Sequence, residues 1–447
     1  MTSEDYDDAD DRERVYRAMA SRRKVLASTA AFGAAALAGC AGNGNGDGGT
    51  DTDTDTDMDG SMDEPTPTEE DTDEESMSQP DVDVLNYALT LEHLEYAFYR
   101  DGLDEFDDEQ LRNADQVQVY GDKIRGEIPG RIETVRDHEK GHVERISTVV
   151  SDLGGEPVGE AEYTFEYESP EAFIETAMVL ENTGVAAYKG AAPAIKNNDI
   201  LSAALGIHSV EARHASFLNV LNQESPYPDA FDEAQSPEEV TEAANPFFQA
   251  DIGGSTTMDD LEEDAEYDRK NAGDPGDLGV LNFALTLEHL ENAFYRDGLD
   301  EFSDDEIQNA DVLSEFGDEI QSAVPDRLRT VQEHEKAHVD AITSTVEELG
   351  GDPNSEAEYT FEYESPTKFI QTARVLENTG VAAYAGAGPT VENDDVLAAA
   401  ASIHSVEARH AGFLNELNGM SPYPDAVDEA KSPSEVREDV QPFIEDS

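Results

Sequence analysis

The chain has 447 residues, of which 103 are acidic and 28 basic, giving a formal net charge of −75. Such a surface repels nucleic-acid phosphates and anionic headgroups and is tolerable chiefly where concentrated salt screens it, so a halophilic setting is expected and a nucleic-acid partner is excluded. The length suits two or three domains, and the single cysteine, Cys40, excludes intrachain disulfides and cysteine-built zinc or iron–sulfur sites.

The first 40 residues hold Ser21-Arg22-Arg23-Lys24-Val25-Leu26, an apolar stretch from Ala27 to Ala38, and the ending Leu37-Ala38-Gly39-Cys40. This pattern resembles a twin-arginine export signal with a lipobox. The resemblance implies cleavage before Cys40, a lipid on its sulfur, and an exported protein anchored at the outer face of the cytoplasmic membrane; an uncleaved anchor is the alternative. No later segment has the ~18 consecutive apolar residues that span a bilayer. Residues 41–80 are Gly, Asp, Thr and Glu with almost nothing to bury, and they are expected to form a disordered acidic tether.

Beyond the tether the chain repeats itself. LNYALTLEHLEYAFYRDGLDEF starts at Leu85 and LNFALTLEHLENAFYRDGLDEF at Leu281, an offset of 196 residues (281 less 85). The same offset carries AEYTFEYESP, VLENTGVAAY, IHSVEARHA and SPYPDA into the second half, which marks duplicated domains rather than short solenoid repeats. The expected division is a first domain over 81–250, a Gly-, Asp- and Glu-rich linker over 251–277, and a second domain over 278–447.

Apolar residues recur at helical spacing in each copy. In the first, helices are predicted near 82–101, 116–153, 170–196 and 198–222, with a short fifth one opened by Ser236-Pro237-Glu238. Four long helices make a bundle. The stretch from Gly154 to Ser169 is long enough for a crossover along it, so the expected fold is all-α: two tandem four-helix bundles, each with a long crossover between its second and third helices.

Stepping 100° per residue from Leu85 puts Leu89, Tyr96 and Tyr99 within about 40° of it, and Glu92 among them. The second helix sets Glu139 and His142 in the stripe of Val135, Ile146, Val149 and Leu153. The third sets Glu181 among Ile174, Ala177, Val185 and Tyr188, and the fourth sets Glu211 and His214 between Ala204, Ile207, Leu218 and Leu221. Every helix therefore turns one glutamate inward, and two add a histidine. Four uncompensated buried carboxylates would each cost several kcal/mol and repel one another. Divalent cations remove the conflict, and a Glu/His pair at i, i+3 presents both ligand types to one ion.

The order Glu92-x6-Tyr99, Glu139-x-x-His142, Glu181-x6-Tyr188, Glu211-x-x-His214 resembles the rubrerythrin and ferritin-like superfamily, and more closely the exported ferritin-like domain proteins that include desiccation-related members. It returns as Glu288/Tyr295, Glu335/His338, Glu377/Tyr384 and Glu407/His410. The resemblance implies a ferritin-like connectivity and one non-haem di-metal centre per bundle, iron first and manganese second, acting on dioxygen or peroxide. It assigns the glutamates and histidines of these pairs as metal ligands, and Tyr99, Tyr188, Tyr295 and Tyr384 as nearby reactive hydroxyls. It also implies that the two bundles pack as a pseudo-dimer. The four-cysteine iron site that often feeds rubrerythrin-type enzymes is excluded here, so a peroxidase cycle needs an external reductant.

Other readings compete. The ten histidines all lie in the repeats, at 93, 138, 142, 208 and 214 and again at the repeat offset. His208 is a candidate for a supporting contact or an extra ligand, while His93 and His138 are expected to make helix-flank hydrogen bonds. Glu95 and Glu291, about 60° around from the neighbouring ligand, are expected on a solvated face. His138-Glu139-x-x-His142 and His334-Glu335-x-x-His338 also fit the HExxH pattern of zinc metalloproteases, which leaves the tyrosine elements and the second ExxH unexplained. A metal-binding or desiccation-protective module without turnover is the remaining alternative.

Overall fold

The computed structural model describes residues 71–249 and 275–444, with side chains from 79 and from 276 onward. The export signal, Cys40, the tether up to residue 70 and residues 250–274 of the linker lie outside the described residues. Among the described residues the structure is helical, and the extended pairings are two isolated antiparallel bridges, Tyr163 to Phe248 and Tyr359 to Ile444.

The first half contains α1 (Asp71–Glu105), α2 (Asp108–Arg112), α3 (Asp122–Asp152), α4 (Pro170–Ala191), α5 (Asn198–Leu221) and α6 (Pro237–Ala244). The second repeats them as α7 (Pro275–Glu301), α8 (Asp304–Gln308), α9 (Asp318–Glu348), α10 (Pro366–Ala387), α11 (Asp394–Leu417) and α12 (Pro433–Val440). Local chemistry places the ends. Ser169 accepts from Ala172 N with Pro170 at the first helical position, and Asn197 accepts from Asp199 N and Ile200 N. Ser236 and Glu239 close a capping box at the start of the short fifth helix foreseen from the sequence, α6. Gly154, at φ 83°, ends α3 in the left-handed region that a Cβ would disfavour.

Several boundaries differ from expectation. Residues 71–80, assigned to the tether for want of apolar residues, already belong to α1. The second predicted helix is broken: a 3-10 turn over Asp115–Val119 precedes Tyr120, and Gly121 in an extended conformation (φ −64°, ψ 157°) opens α3. Asp277, given to the linker by composition, is fully buried in α7, where its carboxylate accepts from Glu392 N and Asn393 N at 2.8 and 3.1 Å. Asp81 does the same for Lys196 N and Asn197 N at the start of α5.

In each half the first helix packs along the second long one, and the third along the fourth. Residues 153–169 cross between the pairs, carrying Tyr163, Phe165 and Tyr167 onto a cluster around Phe98 and Phe173. Tyr167 donates to Phe98 O at 2.7 Å, and Thr164 N donates to Phe247 O at 2.8 Å, which fastens the crossover to the segment after α6.

The two bundles pack on one another through α5 and α11. Small residues make the close approach possible: Val185, Ala212 and Ala215 meet Val381, Ala408 and Ala411 in one buried cluster. Buried ion pairs flank this seam, with Arg213 Nε on Asp428 Oδ2 at 2.7 Å and Arg409 Nε on Asp232 Oδ2 at 2.8 Å. No helix among the described residues is long and apolar enough to cross a membrane.

Candidate metal centre

Glu92 comes from α1, Glu139 and His142 from α3, Glu181 from α4, and Glu211 and His214 from α5, and all six are fully buried. They form two overlapping quartets. Donor atoms of Glu92, Glu139, His142 and Glu211 lie within 4.8 Å of one another, as do those of Glu139, Glu181, Glu211 and His214. Glu139 and Glu211 belong to both quartets, as carboxylates bridging two ions would. Glu288, Glu335, His338 and Glu407, with Glu335, Glu377, Glu407 and His410, repeat the arrangement in the second half.

Histidine tautomers test whether cations fit. His142 Nδ1 lies 3.0, 3.2 and 3.1 Å from oxygens of Glu92, Glu139 and Glu211. Its Nε2 sits 2.6 Å from the carbonyl of Ala426, which only accepts, so Nε2 carries the hydrogen. In the neutral ring Nδ1 then aims a lone pair at three carboxylates, an arrangement that only a proton or a metal ion relieves. His338 repeats it, with Nε2 2.7 Å from Ala230 O. His214 Nδ1 lies 3.0 and 3.2 Å from Glu139 and Glu181, and its Nε2 pairs with His138 Nδ1 at 3.1 Å. An inward lone pair with the outer N–H tied to a protein acceptor is how metal-bound histidines are held. Glu211 and Glu407 also carry oxygens with no aligned hydrogen-bond donor. The donors are hard oxygens with imidazole, suited to iron or manganese.

Without a cation the cluster takes up protons. Burial pushes Glu92 up to about 7, against the pull of His142. Burial, reinforced by neighbouring carboxylates, raises Glu211 well above the usual range. Burial lowers His214, but Glu181 and Glu139 outweigh it and hold the ring up at about 9; His410 reaches about 10 in the same way. Burial also acts on Glu139, yet His142 and His214 bring it below its usual value.

The four tyrosine hydroxyls all reach carboxylates of the clusters. Tyr99 O–H donates to Glu181 at 2.6 Å and Tyr295 O–H to Glu377 at 2.5 Å, while Tyr188 and Tyr384 donate to Glu92 and Glu288. His93 makes the helix-flank bond predicted for it, to Val158 O at 3.1 Å. His138 instead supports His214, and neither it nor His334 joins a quartet, so the HExxH geometry of a zinc protease is not assembled. His208 is no part of the ligand cluster either: it faces His404 of the other half across the seam, their rings 5.7 Å apart.

Two features were missed. Glu95 and Glu291, expected on a solvated face, are each 3% exposed. The reason lies on the opposing helix: a Cβ at Gly184 would stand 3.0 Å from Glu95 Oε1 and 3.1 Å from Glu211 Oε2, so glycine there admits a further carboxylate. Burial, then Glu211, Glu181, Glu139 and Glu92, hold Glu95 well above the usual carboxylate range. The repeated Glu-x-x-Glu and Glu-Asn-Thr-Gly strings were the available signal.

The second is the repeated Ser-Pro-Tyr-Pro-Asp-Ala segment, which reaches across the seam. Tyr423 sets its ring edge-on to His214 at 4.7 Å and donates to Arg131 O at 2.9 Å, and Ala426 supplies the carbonyl for His142. Tyr227 and Ala230 do the same for His410 and His338. Each half's ligand histidines are thus held by the other half.

A family model described as ferritin-like domain matches residues 80–224 and again 276–420. The curated protein rds1 of Schizosaccharomyces pombe is similar at 26% identity over 148 residues, covering 33% of this chain and 34% of that protein. The chain therefore spans about a third of the length of that relative.

Proposed function

The chain belongs to the ferritin-like domain family, and from that premise we propose that it is a surface-anchored protein with one di-metal centre per half, iron first and manganese second, acting as an oxidoreductase or ferroxidase on dioxygen or peroxide. The observation that carries this reading is the pair of quartets in each half sharing two carboxylates. The metals would supply the one-electron steps that oxygen chemistry requires.

The protein's own part follows from its side chains. Glu92, His142, Glu181 and His214 would each serve one ion, and Glu139 and Glu211 both. Tyr99 and Tyr188 keep Glu181 and Glu92 oriented through their O–H bonds. Glu95, held well above the usual carboxylate range by burial and by Glu211, would be placed to pass a proton to the reacting space. Complete burial of the ligands excludes bulk water. Electrons would come from an external donor, since the one cysteine leaves the chain no four-cysteine iron site. A lipid on Cys40 would keep this chemistry at the outer face of the membrane.

Elemental analysis of the full chain purified in concentrated salt should find four ions, one per quartet. Glu139→Ala and Glu335→Ala should each empty one half and stop the corresponding share of peroxide consumption. Metal content unchanged in both variants would refute the reading.

A further inference from the structure

Beside the first centre the bundle encloses a cavity of about 260 Å³ between α1, α3, α4 and α5. Its wall is largely aliphatic, with Leu85, Ile146, Val149, Ile200 and Ile207 among its side chains. Its inner end reaches Tyr188, whose hydroxyl donates to Glu92, and its mouth carries the exposed Arg145, Asp152 and Asp199. One wall residue breaks the apolar pattern: the Tyr87 hydroxyl is buried and has no hydrogen-bond partner. The second half has Phe283 at this position and Ala341 where the first has Arg145. Of the lining positions at which the two halves differ, Tyr87 is the one that leaves a buried polar atom unsatisfied in the first half.

We propose that this cavity binds an uncharged, mainly aliphatic molecule carrying one hydroxyl or carbonyl oxygen, with the chain against the aliphatic wall and the oxygen on Tyr87. An unpartnered buried hydroxyl carries an unrecovered desolvation penalty, and a ligand oxygen removes it where an alkane cannot. Charge argues against an anionic head, because Arg145 is outnumbered at the mouth by Asp152 and Asp199 on a chain of net charge −75. Size limits the guest. A cavity of ~150 Å³ lined by aliphatic and aromatic groups stays dry and takes benzene, so this one suits on the order of ten non-hydrogen atoms.

The probe is 1-nonanol, titrated calorimetrically into the full chain in concentrated salt, with nonanoate as the anionic counterpart. Saturable binding of one 1-nonanol per chain is expected, tighter than nonanoate. Tyr87→Phe, which installs the residue the second half already carries, should weaken 1-nonanol about tenfold while leaving the thermal transition and metal content unchanged. Val149→Phe, at a half-buried position on the wall, should abolish binding and serves if Tyr87→Phe does not fold. Retention of 1-nonanol binding in Glu139→Ala separates this site from the metal reading, so either can fail alone. No saturable binding, equal affinity in Tyr87→Phe, or tighter binding of nonanoate would each overturn the proposal.

Discussion

Replacing Asp428 in the second half should damage the metal centre of the first. Asp428 Oδ2 accepts from Arg213 Nε at 2.7 Å, and its backbone N donates to Gly206 O at 3.0 Å, so it anchors the loop that presents Ala426 O to His142. Arg213 is 2% exposed. Asp428→Ala therefore strands a buried guanidinium, which typically costs about 3–5 kcal/mol, and frees the carbonyl that fixes the His142 tautomer. Loss of such a supporting contact weakens metal binding about 10–100-fold. Two backgrounds separate the halves: Glu335→Ala leaves only the first centre, and Glu139→Ala only the second. Chelator competition should show the larger affinity loss for Asp428→Ala in the Glu335→Ala background and a smaller one, transmitted through the seam, in the Glu139→Ala background. Loss confined to the half that carries the substitution would refute the crossed arrangement.

Gly184→Ala and Gly380→Ala should lose metal and about 1–3 kcal/mol of stability, although alanine ordinarily favours a helix. The second should suffer more, because its Cβ would come within 2.8 Å of Glu407 Oε2; thermal unfolding and elemental analysis would show the ranking. Tyr99→Phe should leave Glu181 without its 2.6 Å donor and weaken metal retention about tenfold by chelator competition. The chelated protein should lose stability as pH rises. Glu92, raised from 4.5 to about 7, favours folding fully below pH 4.5 and no longer above 7; His214, raised from 6.5 to about 9, does so fully below 6.5 and loses it as pH passes 9. The latter shift alone amounts to on the order of 3 kcal/mol. The metal-loaded protein should show the opposite slope over this range, because ions displace those protons. Unfolding temperatures at constant salt, with and without chelator, test both signs.

The buried glutamates and histidines were legible because helical phase is a property of one strand of sequence: Glu92 among Leu85, Leu89 and Tyr99 needs no partner helix to look buried. Glu95 was not, because its burial depends on what faces it, and a glycine on α4 is silent about which side chain it admits. The crossing loops were hidden for another reason. The acceptor for His142 is a backbone carbonyl, which any residue at 426 would supply, so the repeated Ser-Pro-Tyr-Pro-Asp-Ala string showed that something was preserved without showing what it touched. Composition misled at Asp277, since aspartate is both a solvated linker residue and a good acceptor for backbone N–H groups at a helix start.

These contacts also make the seam and the metal sites one mechanical unit. The small residues of α5 and α11 allow an approach close enough for each loop to reach the other half's histidines, and Arg213 and Arg409, both 2% exposed, fix the loops through pairs too buried for salt to screen fully. The rest of the surface, on a chain of net charge −75, repels itself, and dissolved salt screens that repulsion. Diluting the salt should therefore strain the outside of each bundle more than the seam. If the bundles separated, His142, His338 and their partners would lose the acceptors that aim each Nδ1 inward. If each cluster binds metal as proposed, binding in one half would favour docking, docking would favour the ligand geometry of the other half, and the two centres would share a coupling free energy although no ligand is common to both.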